Sequence, residues 1–313
     1  MIFSSIINGC EQIFDTTLFL NIIMFWLLLN HYRRDPRLFD KGIIWFVISA
    51  SLVGVLFMFG IGVSIELESG RYTIFNDNQN TVGIKMALGI LFLINYTLNH
   101  STKKQVSKPY LLTMIIPMLL LMFYTASRTA LLILVTGVIV FFLLRPSVSY
   151  FNRFLWLIIG IIVCILGFKL IGNQELLIDR ITQTVEEGSI SGRDIIWEMY
   201  INVIKEHPVL GVGFTGAQSI AQQMYGSHIS PHNVFIEVAL YSGILGFIPF
   251  LCFIFSIYKN IFKYFTVEKN LAPLMFSIGL LGMLLSSQAL NVKLFWVIAA
   301  YAISYQILPK NLT

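Results

Sequence analysis

Long apolar runs bounded by charged or turn-forming residues recur along the chain, near residues 13 to 30, 43 to 65, 82 to 99, 110 to 125, 129 to 144, 154 to 171, 233 to 258, 271 to 289 and 292 to 308. A hydrocarbon layer about 30 Å thick takes roughly 20 apolar residues of helix to cross. Runs of this length predict an all-α integral membrane protein with about nine transmembrane helices. Only Leu290 and Asn291 part the last two runs, so a re-entrant hairpin is the alternative to two full spans there. The predicted organisation is membrane helices 1–6 over residues 1–171, an extracytoplasmic loop containing an amphipathic helix over 172–232, and membrane helices 7–9 over 233–313.

Composition points the same way. Of 313 residues, 57% are hydrophobic and 12% charged, about half the charge of a soluble domain. That excludes a soluble enzyme, a disordered chain and a secreted disulfide scaffold. Cys10, Cys164 and Cys252 fall in or beside apolar runs, where a thiol behaves as a small hydrophobe, so neither a disulfide nor a metal is expected from them. The net charge of +5 matters less than its placement. Arg33, Arg34, Arg37, Lys41, Lys103, Lys104, Lys108, Arg145, Arg153, Lys259, Lys263, Lys269 and Lys310 fall on one side, thirteen of the 21 cations, and the positive-inside rule assigns that side to the cytoplasm. The amino terminus is then outside, the carboxyl terminus inside, and the segments 66–81 and 172–232 extracytoplasmic. The first residues carry no Lys or Arg and no small-residue cleavage site follows the first run, so no cleavable signal peptide is expected. No internal repeat of the kind that builds transporters from inverted halves is visible.

Chemistry is expected outside, in the one long hydrophilic segment. Ser191-Gly192-Arg193-Asp194 precedes Ile195, Ile196, Met199, Tyr200, Val203 and Ile204, spaced for one apolar helix face. Ser191 is a suitable cap, and Pro208 with Gly211-Val212-Gly213 stops the helix near Glu206. Arg193 in its first turn either holds an anion beside free backbone amides or pairs with one of the loop carboxylates. Further on, Ser230-Pro231-His232-Asn233 opens the seventh run, with Ser230 as cap, proline at the first helical position and His232 in the first turn. A helix amino terminus disfavours imidazolium, so His232 is expected neutral. It is then either a general base or an interfacial histidine bonding backbone or headgroups.

His228 and His232 lack helical register and a third ligand, and the chain has no Asp-x-Asp pair, so a metal-independent site without cofactor is expected. Arg128, in Thr125-Ala126-Ser127-Arg128-Thr129-Ala130 between the fourth and fifth runs, either faces the bundle for function or snorkels to outer headgroups. Gly211-Val212-Gly213 is a tight turn more readily than a phosphate cradle. Asn76-Asp77-Asn78-Gln79-Asn80 either binds sugar hydroxyls or caps the third helix. Beside Pro208, His207 is read as a helix terminator, and Glu237, five residues past His232, is assigned no catalytic part.

Taken together, these segments resemble the O-antigen ligase and O-antigen polymerase family of bacterial membrane glycosyltransferases. Ser127-Arg128-Thr129-Ala130, then Gly192-Arg193 with Trp197 and His207-Pro208-Val209-Leu210-Gly211-Val212-Gly213, then His232-Asn233, Glu237, Gly243 and Gly246 carry the likeness in order, over roughly residues 75 to 260. The resemblance implies an inverting, metal-independent transfer of a glycan from an undecaprenyl-diphosphate-linked donor to a glycan acceptor, at the outer face of the bacterial cytoplasmic membrane. It implies that Arg128 and Arg193 hold the diphosphate and that His232 activates the acceptor hydroxyl. The partners expected are the lipid-linked donor, the acceptor, the bilayer, and flippase and chain-length regulator proteins, with no nucleic acid. Family members usually have more than nine spans, the difference being expected at the amino end. The leading expectation is a polymerase of oligosaccharide repeats for an O-antigen, capsule or exopolysaccharide. A ligase with another acceptor, a lipid-linked glycan transporter and a non-catalytic assembly partner are the alternatives.

Overall fold

A computed structural model describes residues 2–8, 16–35, 37–66, 69–98, 109–144, 178–179, 182, 193–226, 229–268 and 271–304. The expected span at 154 to 171 lies outside the described residues, as do Ser191, Gly192 and His228. Helices occur at the other eight apolar runs. In chain order the helices are α1 (Ile2–Ile7), α2 (Thr16–Arg34), α3 (Arg37–Met58), α4 (Gln79–Leu98), α5 (Ile115–Tyr124, entered through a 3-10 turn Pro109–Met114), α6 (Arg128–Leu144), α7 (Arg193–Glu206), α8 (Phe214–Tyr225), α9 (Val234–Glu268), α10 (Ala272–Ser286) and α11 (Lys293–Ser304). Strands β1 (Val63–Ile65) and β2 (Tyr72–Ile74) form an antiparallel hairpin between α3 and α4, Ser64 facing Thr73.

Arg37–Met58 and Val234–Val267 are long and apolar enough to cross a membrane, and α5, α6, α10 and α11 are shorter apolar helices. α3 buries only the stripe Phe39, Val47, Ala50, Ser51 and Gly54 and turns Trp45 and Leu52 outward, 67% and 57% exposed. An apolar helix that faces outward over most of its circumference is solvated by acyl chains rather than water. This is a membrane protein. The run at 43 to 65 does not remain helical to its end: Gly60 and Gly62 adopt positive φ and the chain leaves α3 for the hairpin, although Val63, Ser64 and Ile65 are as apolar on average as what precedes them. Hydropathy alone does not separate a short strand from one more helical turn.

The chain folds as two compact units. One comprises residues 37–182 and 262–282. In it α4 lies among α3, α5 and α6, its Ala87, Leu88 and Leu91 fully buried. Small residues let these helices approach: a Cβ on Gly54 would stand 2.6 Å from the Pro117 carbonyl, and one on Gly83 would stand 2.8 Å from Thr125 Oγ1. Phe39 and Phe92 both pack on Phe276.

The other unit comprises residues 1–36, 183–261 and 283–313. α2 packs along α11, with Tyr32 edge-on to Tyr301 and Phe25 edge-on to Trp296. Between α10 and α11 the Leu290 carbonyl accepts from both Asn21 Nδ2 (3.1 Å) and Trp296 Nε1 (2.7 Å), which satisfies backbone that an apolar surrounding would otherwise penalise. α7, α8 and the first turns of α9 enclose a core of Met199, Tyr200, Val203, Val212, Ala217, Ala221 and Leu240. The expected apolar face of α7 supplies it, except that Ile195 points outward. α1 closes this group from the amino end, Ser5 Oγ accepting from the Phe214 N–H (3.1 Å) and Asn8 Nδ2 donating to the Gly211 carbonyl (3.1 Å).

Candidate active site

α7 begins at Arg193, and its helical pitch brings Arg193, Trp197 and Tyr200 onto one stripe at i, i+4 and i+7. That stripe grips the segment ahead of α9. Trp197 Nε1 donates to the Pro231 carbonyl (2.8 Å) and the Tyr200 hydroxyl donates to the Ile229 carbonyl. Two indexed contacts from one helix therefore set where His232 stands relative to Arg193.

His232 itself has φ +48°, a left-handed conformation uncommon for a residue with a side chain. Its N–H donates to Ser230 Oγ (3.1 Å), and the Ser230 hydroxyl in turn donates to Glu237 Oε1 (2.8 Å). Glu237 is 3% exposed. The cap of α9 is Asn233, whose Oδ1 accepts from the N–H groups of Phe235 (3.0 Å) and Ile236 (3.4 Å). This corrects the expected start of that helix: Ser230 is not the cap, Pro231 is not the first helical residue and His232 precedes the helix. The reason is that the left-handed φ of His232 breaks helical geometry between Ser230 and Asn233, so Asn233 is the competent residue from which the helix can run on.

The imidazole of His232 is pushed down to about 4 from its ordinary value, first by burial and second by the positive charge of Arg193. Burial is the larger cause of its neutrality and the neighbouring cation the smaller. A neutral imidazole beside a guanidinium is an arrangement able to take a proton while an anion is held next to it.

Arg128 belongs to the other unit. It is the first residue of α6, half-buried, and follows a turn in which Ala126 takes φ +45° and Ser127 Oγ accepts from the Ala130 N–H (3.3 Å). The Thr125 carbonyl at the end of α5 accepts from Arg71 Nε (2.8 Å), and Arg71 Nη2 donates to Asn80 Oδ1 (2.9 Å). Arg71 is missed by sequence reasoning although it is the one cation of the segment 66–81, which was the available signal. Glu237 is linked to the His232 backbone through Ser230, a contact that spacing along the helix does not show.

Two polar motifs resolve toward structure. Asn78 Oδ1 accepts from the N–H groups of Asn80 (3.0 Å) and Thr81 (3.3 Å), capping α4, and Asp77 pairs with Lys85 at 2.6 Å. Gly211-Val212-Gly213 is a turn locked to a break in α9. Gly243 interrupts that helix with φ +57° and ψ −161°. The Val212 N–H donates to the Leu240 carbonyl (2.8 Å), and the N–H groups of Ile244 and Leu245 donate to the carbonyls of Pro208 (2.9 Å) and Val209 (3.3 Å). The Gly211 N–H is used by the His207 carbonyl (3.0 Å), so the Gly211 and Val212 amides are both engaged within the protein. His207 is exposed at the end of α7, as a terminator is.

Residues 113–251 match the family model described as O-Antigen ligase, a stretch that contains Arg128, Arg193, His232, Glu237 and Gly243. The chain is similar to a "Putative polysaccharide ligase" of Rickettsia prowazekii (strain Madrid E), 28% identical over 139 residues, covering 40% of this chain and 33% of the relative. It is also similar to a protein of the same description from Rickettsia felis, 30% identical over 84 residues, covering 23% of this chain and 21% of that relative. The matched part thus spans a third or less of the length of these relatives. No solved structure gives a significant match.

Proposed function

We propose, from the premise that residues 113–251 carry an O-antigen ligase/polymerase-like domain, that this membrane protein transfers glycan from a lipid diphosphate donor to a sugar hydroxyl, as a polymerase of lipid-linked oligosaccharide repeats on the extracytoplasmic face. The observation that carries the reading is the neutral His232 imidazole within electrostatic reach of Arg193. In the reaction the acceptor oxygen attacks the anomeric carbon of the donor from the face opposite the diphosphate. A new glycosidic bond forms, the bond from that carbon to the diphosphate oxygen breaks, and configuration inverts. His232 takes the acceptor proton and Arg193 neutralises the charge that gathers on the departing diphosphate; for Arg128, contact with a diphosphate is proposed from the family resemblance alone. No metal enters the scheme.

The two roles are coupled. Arg193 lowers the basicity of His232 in the free protein, and a diphosphate paired with Arg193 cancels part of that charge. Donor binding therefore raises the imidazole toward its ordinary range at the moment a base is needed. Ligase activity is a second reading, favoured by the description that the family model and the relatives share; it differs only in the acceptor.

The test is the purified protein in liposomes with lipid-linked repeats, with and without a second glycolipid acceptor. Lengthening of the repeats supports the polymerase and one-step transfer to the second acceptor supports the ligase. Movement of the donor across the bilayer without new glycosidic bonds overturns both in favour of transport. Arg128→Ala, Arg193→Ala and His232→Ala are each expected to abolish product while leaving membrane insertion intact.

A further inference from the structure

We propose that Arg71 is the positioning residue for Arg128: its guanidinium clamps the Thr125–Ser127 turn from which α6 starts. The inference rests on the role given to Arg128 above. Arg71 is 6% exposed, and burying a guanidinium is costly unless its donors are engaged. They engage the pieces that converge on this turn. Nε donates to the Thr125 carbonyl at the carboxyl end of α5 (2.8 Å), and Nη2 donates to Asn80 Oδ1 in the first turn of α4 (2.9 Å). A helix carboxyl end is where unpaired carbonyls and the negative end of the helix dipole favour a cation.

The turn needs holding. Ala126 is fully buried at φ +45°, a conformation that disfavours a residue with a Cβ. α4 also packs closely on this turn: a Cβ on Gly83 would meet Thr125 Oγ1 at 2.8 Å and the Cβ atoms of Ser127 and Ala130 at 3.0 Å. Arg128 follows directly, so the direction of its side chain is inherited from the turn. Lysine in place of Arg71 retains the charge but not the fork that reaches two acceptors at fixed angles.

The experiment uses the full chain in nanodiscs, comparing wild type, Arg71→Lys, Asn80→Ala, and Arg71→Lys combined with Ala126→Gly. Amide hydrogen exchange at residues 126–131 and steady-state transfer from lipid-linked repeats are both measured. Arg71→Lys is expected to speed exchange at 126–131 about tenfold with α7 unchanged, and to lower kcat about tenfold with donor KM little altered, because misplacement by about 1 Å is felt mostly in the transition state. Asn80→Ala, which removes one of the two acceptors, should give a smaller change of the same kind. Ala126→Gly should recover most of the loss, because glycine takes the turn's conformation unaided. Unchanged exchange at 126–131 in Arg71→Lys overturns the proposal. So does a loss spread evenly over α4 to α9 that Ala126→Gly does not recover. If wild type forms no glycosidic bond, the transferase reading fails, and exchange at 126–131 still decides the clamp.

Discussion

Replacing Arg193 by glutamine removes a charge that acts on His232 while keeping a side chain of similar length at the head of α7. In the wild type His232 titrates at about 4 instead of its ordinary 6.5, with burial the larger cause and Arg193 the smaller. Because burial remains in Arg193→Gln, recovery is expected to cover less than half the gap, bringing His232 to no more than about 5. The sign is fixed: losing a neighbouring cation makes protonation easier. Selective histidine labelling with NMR titration in nanodiscs reads this directly, the His232 signal being assigned by its disappearance in His232→Gln. Between pH 6.5 and about 4 the unfolded chain binds a proton at His232 that the folded chain does not. Stability therefore falls as pH falls through that window, by up to about 1.4 kcal/mol per pH unit, and Arg193→Gln should narrow the window from its acid side. Adding the lipid diphosphate to wild type should move the titration in the same direction as the mutation. A wild-type His232 titrating near 6.5, or a position indifferent to Arg193→Gln, would refute the electrostatic link on which the base assignment depends.

Arg193→Lys retains the charge but not bidentate contact with phosphate, so initial rates of transfer should drop at least tenfold while His232 still titrates low. Glu237→Gln preserves an acceptor for the Ser230 hydroxyl and should leave most activity, whereas Glu237→Leu frees Ser230 and should cost about tenfold or more in kcat; equal rates in both variants would remove the Ser230 relay. Gly243→Ala puts a Cβ 2.3 Å from the Val209 carbonyl oxygen at φ +57°, and a loss above about 3 kcal/mol is expected, measured as loss of monodisperse protein on thermal challenge in detergent. His207→Ala, at an exposed helix end, should change neither thermal stability nor product by more than about twofold.

Particular elements show where reading along the chain succeeds. The end of α7 follows from Pro208 and the glycines after it, because the interactions that stop that helix lie within a few residues. The capping of α4 by Asn78 is local in the same way. The start of α9 is not. Ser230 and Asn233 are both competent caps, and His232, held at φ +48° between them, takes the chain out of helical geometry so that the helix starts after Asn233. Arg71 shows the same limit over a longer range: the carbonyl it satisfies is 54 residues away. So do Gly211 and Gly243, each needed because the other's backbone approaches too closely for a Cβ.

The order of residues was enough to establish a helical membrane protein, the end of the helix that follows Arg193, and the identities of the cations and the imidazole worth attention. Periodicity and hydropathy depend on neighbours in the chain, and a bilayer rewards them without regard to what packs where. Only the folded molecule decided that His232 is kept neutral by burial and Arg193, that Glu237 holds the backbone beside it, and that a buried Arg71 braces the turn before Arg128. Those are pairings across space, and their energies arise when distant groups leave water together.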